Sequence, residues 1–378
     1  MLDPDSGVAQ KSFAIANAMI RAGREVQLVA ISEKPKPQET PSILQVHTVS
    51  KELYWKEAER FFTSLNADDV VLFRYPFASK ALLNLSNRYG KHILFEHNTI
   101  EHAEMLLLQR SHFSRQPFSL RPGYLCYAMN TLVLRSTEES RLGGQILKKV
   151  KGGVCVSQEI MRYERSRHSH YKTCVIANGA DVAPADDYAS PELDNELRVV
   201  MLIGSEAIWH GYERLIRSLQ NAVLSKRVRL LLVGIEKPSN FNWSENSQNK
   251  VEWLGRKSKA EVAGILYNCH LAVGTLALYK KSMQEASPLK VRECLFMGLP
   301  MILGYYDTDV TADNRFSPFL FRVPNNDTTI DMQHVVDWYT LLSQDANHRQ
   351  TLAALSREVL SMEAKARSYL NFIDSTFL

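Results

Sequence analysis

A chain of 378 residues, 45% of them hydrophobic, has enough apolar material to bury two cores, since domains commonly hold about 100–200 residues. The formal net charge of +4 is mild and no known nucleic-acid-binding motif accompanies it, which argues against a nucleic-acid partner. No apolar run reaches the roughly 18 residues of a membrane span and the N-terminus lacks a signal-peptide pattern, so a cytoplasmic location is expected.

The five cysteines, Cys126, Cys155, Cys174, Cys269 and Cys294, form no C-x-x-C pair and mostly sit inside apolar segments. They read as buried thiols, neither disulfides nor metal ligands. In chain order, Asp3–Ser12 reads as a loop and Phe13–Ala22 as a helix. Strands are predicted at Glu25–Ile31, Ile43–Val49, Val70–Arg74, His92–Glu96, Gly153–Ser157 and Thr173–Ile176. Residues 181–197, rich in Pro, Asp and Ala, read as a linker. A second series follows, with strands at Arg198–Ile203, Arg229–Val233, Val251–Leu254, Leu271–Gly274 and Pro300–Leu303, and helices at Tyr212–Ser225, Lys259–Tyr267 and Leu289–Met297. The tail from about Asp331 is helical. Strand and helix alternate, which predicts an α/β architecture of parallel sheets covered by helices.

The most informative stretch is Glu285-Ala-Ser-Pro-Leu-Lys-Val-Arg-Glu293. Ser287 suits an N-cap and Pro288 the first helical position, so the turn that follows Ala286 and the cap, from Leu289 on, would present free backbone N–H groups and the positive end of a helix dipole to an anion. Lys290 adds a point charge for phosphate, and Glu293, three residues on and on the same face, is placed to accept both hydroxyls of a ribose. Glu285 lies before the cap, in reach of whatever hangs beyond the diphosphate. Flanking strands make this a βαβ unit with its ligand groups at the carboxyl end of a strand, where open α/β sheets bind nucleotides. An amphipathic helix with Lys and Glu facing water is the plain alternative.

With the E-x7-E spacing, the S-P-L-K and M-G-L-P segments, Val175-Ile-Ala-Asn-Gly-Ala-Asp181 and Val200-Met-Leu-Ile-Gly-Ser-Glu-Ala-Ile-Trp-His-Gly211, the chain resembles retaining glycosyltransferases of family 4 over most of its length. The resemblance implies the GT-B fold, two Rossmann-like domains with parallel sheets facing a central cleft. Residues 1–180 would form the acceptor-side domain, 181–197 the linker and 198–365 the nucleotide-sugar-binding domain, with 366–378 a C-terminal helix returning to the first domain. The first strand of the N-terminal domain is missing from the expected pattern, and the loop at Gly7 would face the diphosphate and acceptor.

The resemblance further implies that the loop from Gly204 to Gly211 lies against the diphosphate. Where many relatives carry an Arg and a Lys, this chain has Ser205 and His210. His210 would donate a hydrogen bond or, when protonated, a charge; packing of the loop by Trp209 and His210 is the alternative. Gly234 and Gly255-Arg256 would hold the base, a plain turn role being the alternative reading for the glycines. Glu96, His97 and Asn98 end a strand facing the cleft, with His97 near the sugar or acceptor; a helix cap by Asn98 or Thr99 with Glu101 can coexist with that. Glu101, His102 and Glu104 have no distant partner cluster, so no protein-bound metal is expected.

On this reading the catalytic groups are His97, Glu285 and Lys290. The donor is a nucleotide-diphosphate sugar of the UDP or GDP type, used without an essential metal or bound cofactor, and closure about residues 177–197 would exclude water. The acceptor would be a glycan or lipid-linked glycan, in surface polysaccharide or glycoconjugate biosynthesis. From Arg110 to Lys151, basic residues interleave with aromatic ones, which suits either a solvated helix face or an anionic membrane surface met peripherally. Two alternatives remain open: a catalytically silent GT-B subunit acting as a binding partner, and a GT-B sugar-nucleotide epimerase. A dehydrogenase is disfavoured, because no G-x-G-x-x-G follows a strand.

Overall fold

The computed structural model describes residues 7–33, 43–104, 107, 121–181, 189–204, 207–239, 241–243 and 247–377, without the side chains of 7, 8 and 121–133. The chain divides into two units, one of Met1–Asp181 with Ser361–Leu378, the other of Val182–Leu360.

The first unit opens on α1 (Gly7–Arg21), then β1 (Leu28–Ser32), β2 (Leu44–Thr48), α2 (Tyr54–Thr63), β3 (Val71–Arg74), α3 (Lys80–Tyr89), β4 (Ile93–His97), α4 (Arg121–Leu147), β5 (Gly152–Cys155), α5 (Gln158–Arg167) and β6 (Thr173–Val175). Strands β3 to β6 form a parallel sheet in sequence order, while β1 and β2 pair in parallel as a separate ladder. The loop expected through Ser12 is instead helix from Gly7 on. Ala9, Lys11, Ile15, Ala16, Ala18 and Met19 share its buried face, and that burial outweighs the turn-like residues before it.

The second unit runs β7 (Glu196–Leu202), α6 (Tyr212–Gln220), β8 (Arg227–Val233), β9 (Lys250–Trp253), α7 (Lys259–Tyr267), β10 (Leu271–Val273), β11 (Glu285–Ala286), α8 (Leu289–Phe296), β12 (Met301–Leu303), β13 (Tyr306–Asp307), β14 (Leu320–Arg322), α9 (Met332–Leu342) and α10 (His348–Leu360). Its six-stranded sheet is parallel throughout, in the order β14-β12-β10-β7-β8-β9. Central strands read as continuous apolar runs because helices cover both faces: Val199, Val200, Leu230, Leu232, Leu271 and Ile302 are wholly buried. Helix α6 stops at Gln220, short of the expected Ser225, because the buried Asn249 side chain takes the carbonyls of Leu219 and Ala222 at 3.0 Å each. Helix α7 starts on a capping box, Ser258 with Glu261.

The chain's last helix, α11 (Met362–Phe377), belongs to the first unit. Its Met362, Ala366, Tyr369 and Phe372 pack with Ile15, Ala18 and Met19 of α1 and with Leu94, Val154 and Ile176. Among the described residues no helix is long and apolar enough to cross a membrane.

Candidate active site

Strand order in the second unit creates a topological switch point beside β7. From β7 the chain steps outward through β8 to β9, then returns to the other side of β7 to lay down β10. The loops leaving β7 and β10 therefore diverge, and open α/β sheets bind ligands at the carboxyl end of strands at such a switch. The loop after β7 carries Gly204, Trp209, His210 and Gly211; the connection after β10 carries Lys281, Glu285 and the start of α8.

These segments meet. A Cβ placed on Gly204 would lie 2.5 Å from the Lys290 Nζ and 3.0 Å from its Cε, so the ammonium rests directly on the bare backbone at the end of β7. The amides of Leu276 and Ala277 donate to the carbonyls of His210 (2.9 Å) and Trp209 (3.2 Å). Gly211, at φ 72°, caps α6 and leaves room for Ala277, whose Cβ would be 2.8 Å from an added side chain. Below them the buried Arg214 of α6 donates to the carbonyls of Leu276, Pro324 and Thr328, fixing the second loop from underneath.

Helix α8 differs from expectation by one residue. Pro288, at φ −72° and ψ 135°, is the N-cap and Leu289 the first helical residue, while Ser287 is buried one position earlier. The N-terminus still faces the switch, with Lys290 in its first turn. Burial pushes the Lys290 ammonium down to about 8 despite the pull of Glu293. Burial also raises the Glu293 carboxyl, and Lys290 and Lys259 offset part of that. Glu285, half-buried, sits in β11, which pairs in parallel with β13.

His210 is more constrained than its sequence position shows. Burial, with Lys290 and Lys281 adding repulsion, pushes the imidazole down to about 4. At that value the imidazole is neutral at pH 7 and carries no charge. Ser205 lies outside the described residues. Gly234 (φ 103°) and Gly255 (φ 61°) end β8 and β9 in left-handed turns, linked by a 2.7 Å bond from the Gly234 amide to the Gly255 carbonyl, and Arg256 is exposed beside them. Lys281 was not singled out by sequence; the only signal was a pair of lysines in an apolar run. Its Nζ stands 4.7 Å from the Trp209 ring centroid.

In the first unit, the residues at the end of β4 are held inside. Glu96 pairs with Lys11 at 2.5 Å and accepts hydrogen bonds from Asn98 and Tyr369. Although burial alone would raise it, Lys11 and these donors hold its carboxyl down to about 2. His97 has no exposed surface: Nε2 lies 3.1 Å from the Tyr171 hydroxyl and Nδ1 3.3 Å from Glu164. A place against the sugar does not fit that burial. Among the described residues one trio with metal-ligand chemistry emerges, His97, Glu101 and Glu164, all buried with ligand atoms within 4.8 Å of one another. Arg167 already occupies the cationic role there, bonded to Glu164 and 2.6 Å from Glu139, while burial and Glu164 push the Glu101 carboxyl well up, toward its protonated form. Gly7 begins α1; Arg110 lies outside the described residues.

The whole chain resembles solved structures at low identity. A glycosyltransferase from Rickettsia africae superposes with TM-score 0.59, 14% identity, covering 99% of this chain and 96% of that one. Anabaena Alr3699/HepE in complex with UDP-glucose gives 0.55 and 14%, covering 99% and 98%. The lipopolysaccharide outer core galactosyltransferase WaaB gives 0.57 and 11%, covering 99% and 97%.

The fold is GT-B.

At these identities the likeness is one of fold. No protein-family model matches the chain, and no curated protein does. Beyond the carboxyl edge of the second unit's six-stranded sheet lie Gly204, Lys290 and the start of α8.

Proposed function

We propose that the chain is a retaining glycosyltransferase of the family 4 type, moving a hexose from a nucleotide-diphosphate sugar to a glycan or lipid-linked acceptor. The observation that carries this is the Lys290 ammonium seated on Gly204 at the β7/β10 switch, with Glu293 one turn along the same helix. That arrangement provides a cation, a helix N-terminus and a ribose-type acceptor on one edge. UDP-glucose in the Anabaena neighbour supports a donor of the UDP type.

The chemistry follows from charge. As the bond from sugar to phosphate breaks, negative charge grows on the leaving diphosphate, and Lys290 with the first amides of α8 stabilises it. The leaving phosphate then helps deprotonate the acceptor on the same face of the sugar, so no protein nucleophile is required. Glu285 orients sugar hydroxyls. His97, buried, contributes by holding Glu164 and Tyr171 in place. Surface polysaccharide assembly is the proposed setting, supported by the likeness to WaaB. Peripheral contact with an anionic membrane is supported by five exposed cations, Arg135, Arg141, Lys148, Lys149 and Lys151, beside which Glu139 is withdrawn into the core by Arg167.

Calorimetric titration with UDP-, GDP- and ADP-sugars, on the wild type and Glu293→Ala, tests the reading. Saturable binding to one class, weakened in the variant by about 1–3 kcal/mol, is expected. Absence of binding by the folded chain would replace it with a silent binding-partner subunit.

A further inference from the structure

The loop after β7 has lost both cations that the resemblance leads one to expect, since Ser205 replaces one and His210, the other, is neutral at pH 7. A diphosphate carries at least two charges, and Lys290 supplies one. The structure holds a second ammonium at the same edge. Lys281 closes the short 3-10 turn Leu278–Lys281 in the connection after β10, and it is 8% exposed, unusual for a lysine. Its Nζ lies over the face of Trp209, 4.7 Å from the centroid, on the loop whose backbone is stitched to Leu276 and Ala277.

The turn that delivers Lys281 is held with some care. Ser282 follows it at φ 54°, the one non-glycine residue with positive φ among those described, a conformation that persists only where the surroundings impose it. The imposing group is Asn325: its Oδ1 accepts from the Tyr279 amide at 2.9 Å, and its Nδ2 donates to the Met283 carbonyl at 2.9 Å. One side chain thus clamps the turn on both sides of Lys281. The indole face steadies the ammonium through a cation–π contact. Its charge is felt at the site, since Lys281 and Lys290 both repel a proton from His210.

We propose that Lys281 is the second diphosphate-binding cation of this chain, held over Trp209 and acting with Lys290 in place of the loop cations at positions 205 and 210. The assignment rests on the nucleotide-sugar reading above. Trp209 is the positioning residue, and Asn325 sets the turn.

Titration calorimetry with UDP, GDP and ADP identifies the diphosphate that the wild type binds best, and that nucleotide and its parent nucleoside are then titrated into Lys281→Met and Lys281→Arg, with melting temperatures recorded. We expect Lys281→Met to weaken the diphosphate at least tenfold while nucleoside affinity stays within twofold, and Lys281→Arg to recover most of the loss. Should Lys281→Met fail to fold, Lys281→Gln replaces it. Equal loss of nucleotide and nucleoside would show that Lys281 only shapes the loop, and unchanged diphosphate affinity would remove it from the site; either result overturns the proposal. A wild type that binds none of the three nucleotides overturns the donor reading itself, and this assignment with it.

Discussion

Arg292 of α8 donates to both carboxylate oxygens of Asp307 in β13, and both side chains are wholly buried. Asp307 in turn accepts from the amides of Asp309 and Val310, so the pair's remaining hydrogen-bonding capacity is partly used. Because β13 pairs with β11, this ion pair ties the helix bearing Lys290 and Glu293 to the strand bearing Glu285. Asp307→Asn removes the carboxylate that Arg292 meets most directly and leaves Asp309, at 3.3 Å, as its remaining counter-charge, so a loss of about 1–3 kcal/mol is expected in urea unfolding. A loss below 1 kcal/mol would mean the pair does not hold the two elements together.

On the proposed function, Lys290 is expected to set a pH dependence on nucleotide affinity. Its ammonium, pushed down to about 8 by burial, is charged in the free protein below that pH and neutral above it. Affinity for a nucleoside diphosphate should therefore be level between pH 6.5 and 7.5, then fall roughly tenfold per unit above about pH 8. For Lys290→Arg, whose guanidinium stays charged, the curve should be flat to pH 9.5. Calorimetry across this range decides it, and an equal fall in the variant would point to another group.

Glu96 governs acid stability in the first unit. Its carboxyl is held at about 2 in the fold against an ordinary 4.5, so its contribution is present above 4.5 and is lost as pH falls from 4.5 through 2. Lys11 is itself pushed down by burial, which opposes part of that gain. Lys11→Met strands the carboxylate, and the variant should be less stable at pH 7 by about 3–5 kcal/mol. The gap between variant and wild type should narrow between pH 5 and 2.5, followed by circular dichroism in denaturant. A gap independent of pH would assign the loss to packing.

Two glycines on neighbouring strands should respond differently to the same substitution. In Gly204→Ala the new methyl meets only the flexible end of Lys290, so melting should change little while nucleotide affinity falls. In Gly234→Ala the methyl meets the Ile203 carbonyl at 1.8 Å and the backbone sits at φ 103°, so a loss of at least about 1–3 kcal/mol of stability is expected. Equal melting temperatures for the two variants would contradict this.

The second unit was the more readable half, for a physical reason. Its central strands are buried on both faces, so Val199–Leu202 and Leu230–Val233 stand out as apolar runs, and the segment from Glu285 to Glu293 concentrates its signal in nine residues. What escaped depended on partners distant in sequence. Strand β7 begins at Glu196, earlier than its apolar run, because Glu196 pairs across the sheet with Arg229 at 3.0 Å, a contact meaningless until register is known. Asn249 ends α6 from the far side of β8, and Asp307 completes Arg292 from 15 residues away. Lys281 over Trp209 joins two loops 72 residues apart. His97 looked available because it ends a strand; only the packing of Tyr75, Tyr171 and Glu164 around it shows that it is enclosed.

The division of the first unit bears on how the chain is made. Met362, Ala366, Tyr369 and Phe372 cover an apolar surface built by Ile15, Met19, Leu94 and Val154, yet they leave the ribosome after all of Val182–Leu360. At roughly 5–20 residues per second, the nascent first unit waits on the order of ten to forty seconds with that surface uncovered, while the second unit has its whole sequence available and can fold. The helix Met362–Phe377 thus acts as a late seal, and a ribosome that stops before it releases a product with one finished unit and one sticky one.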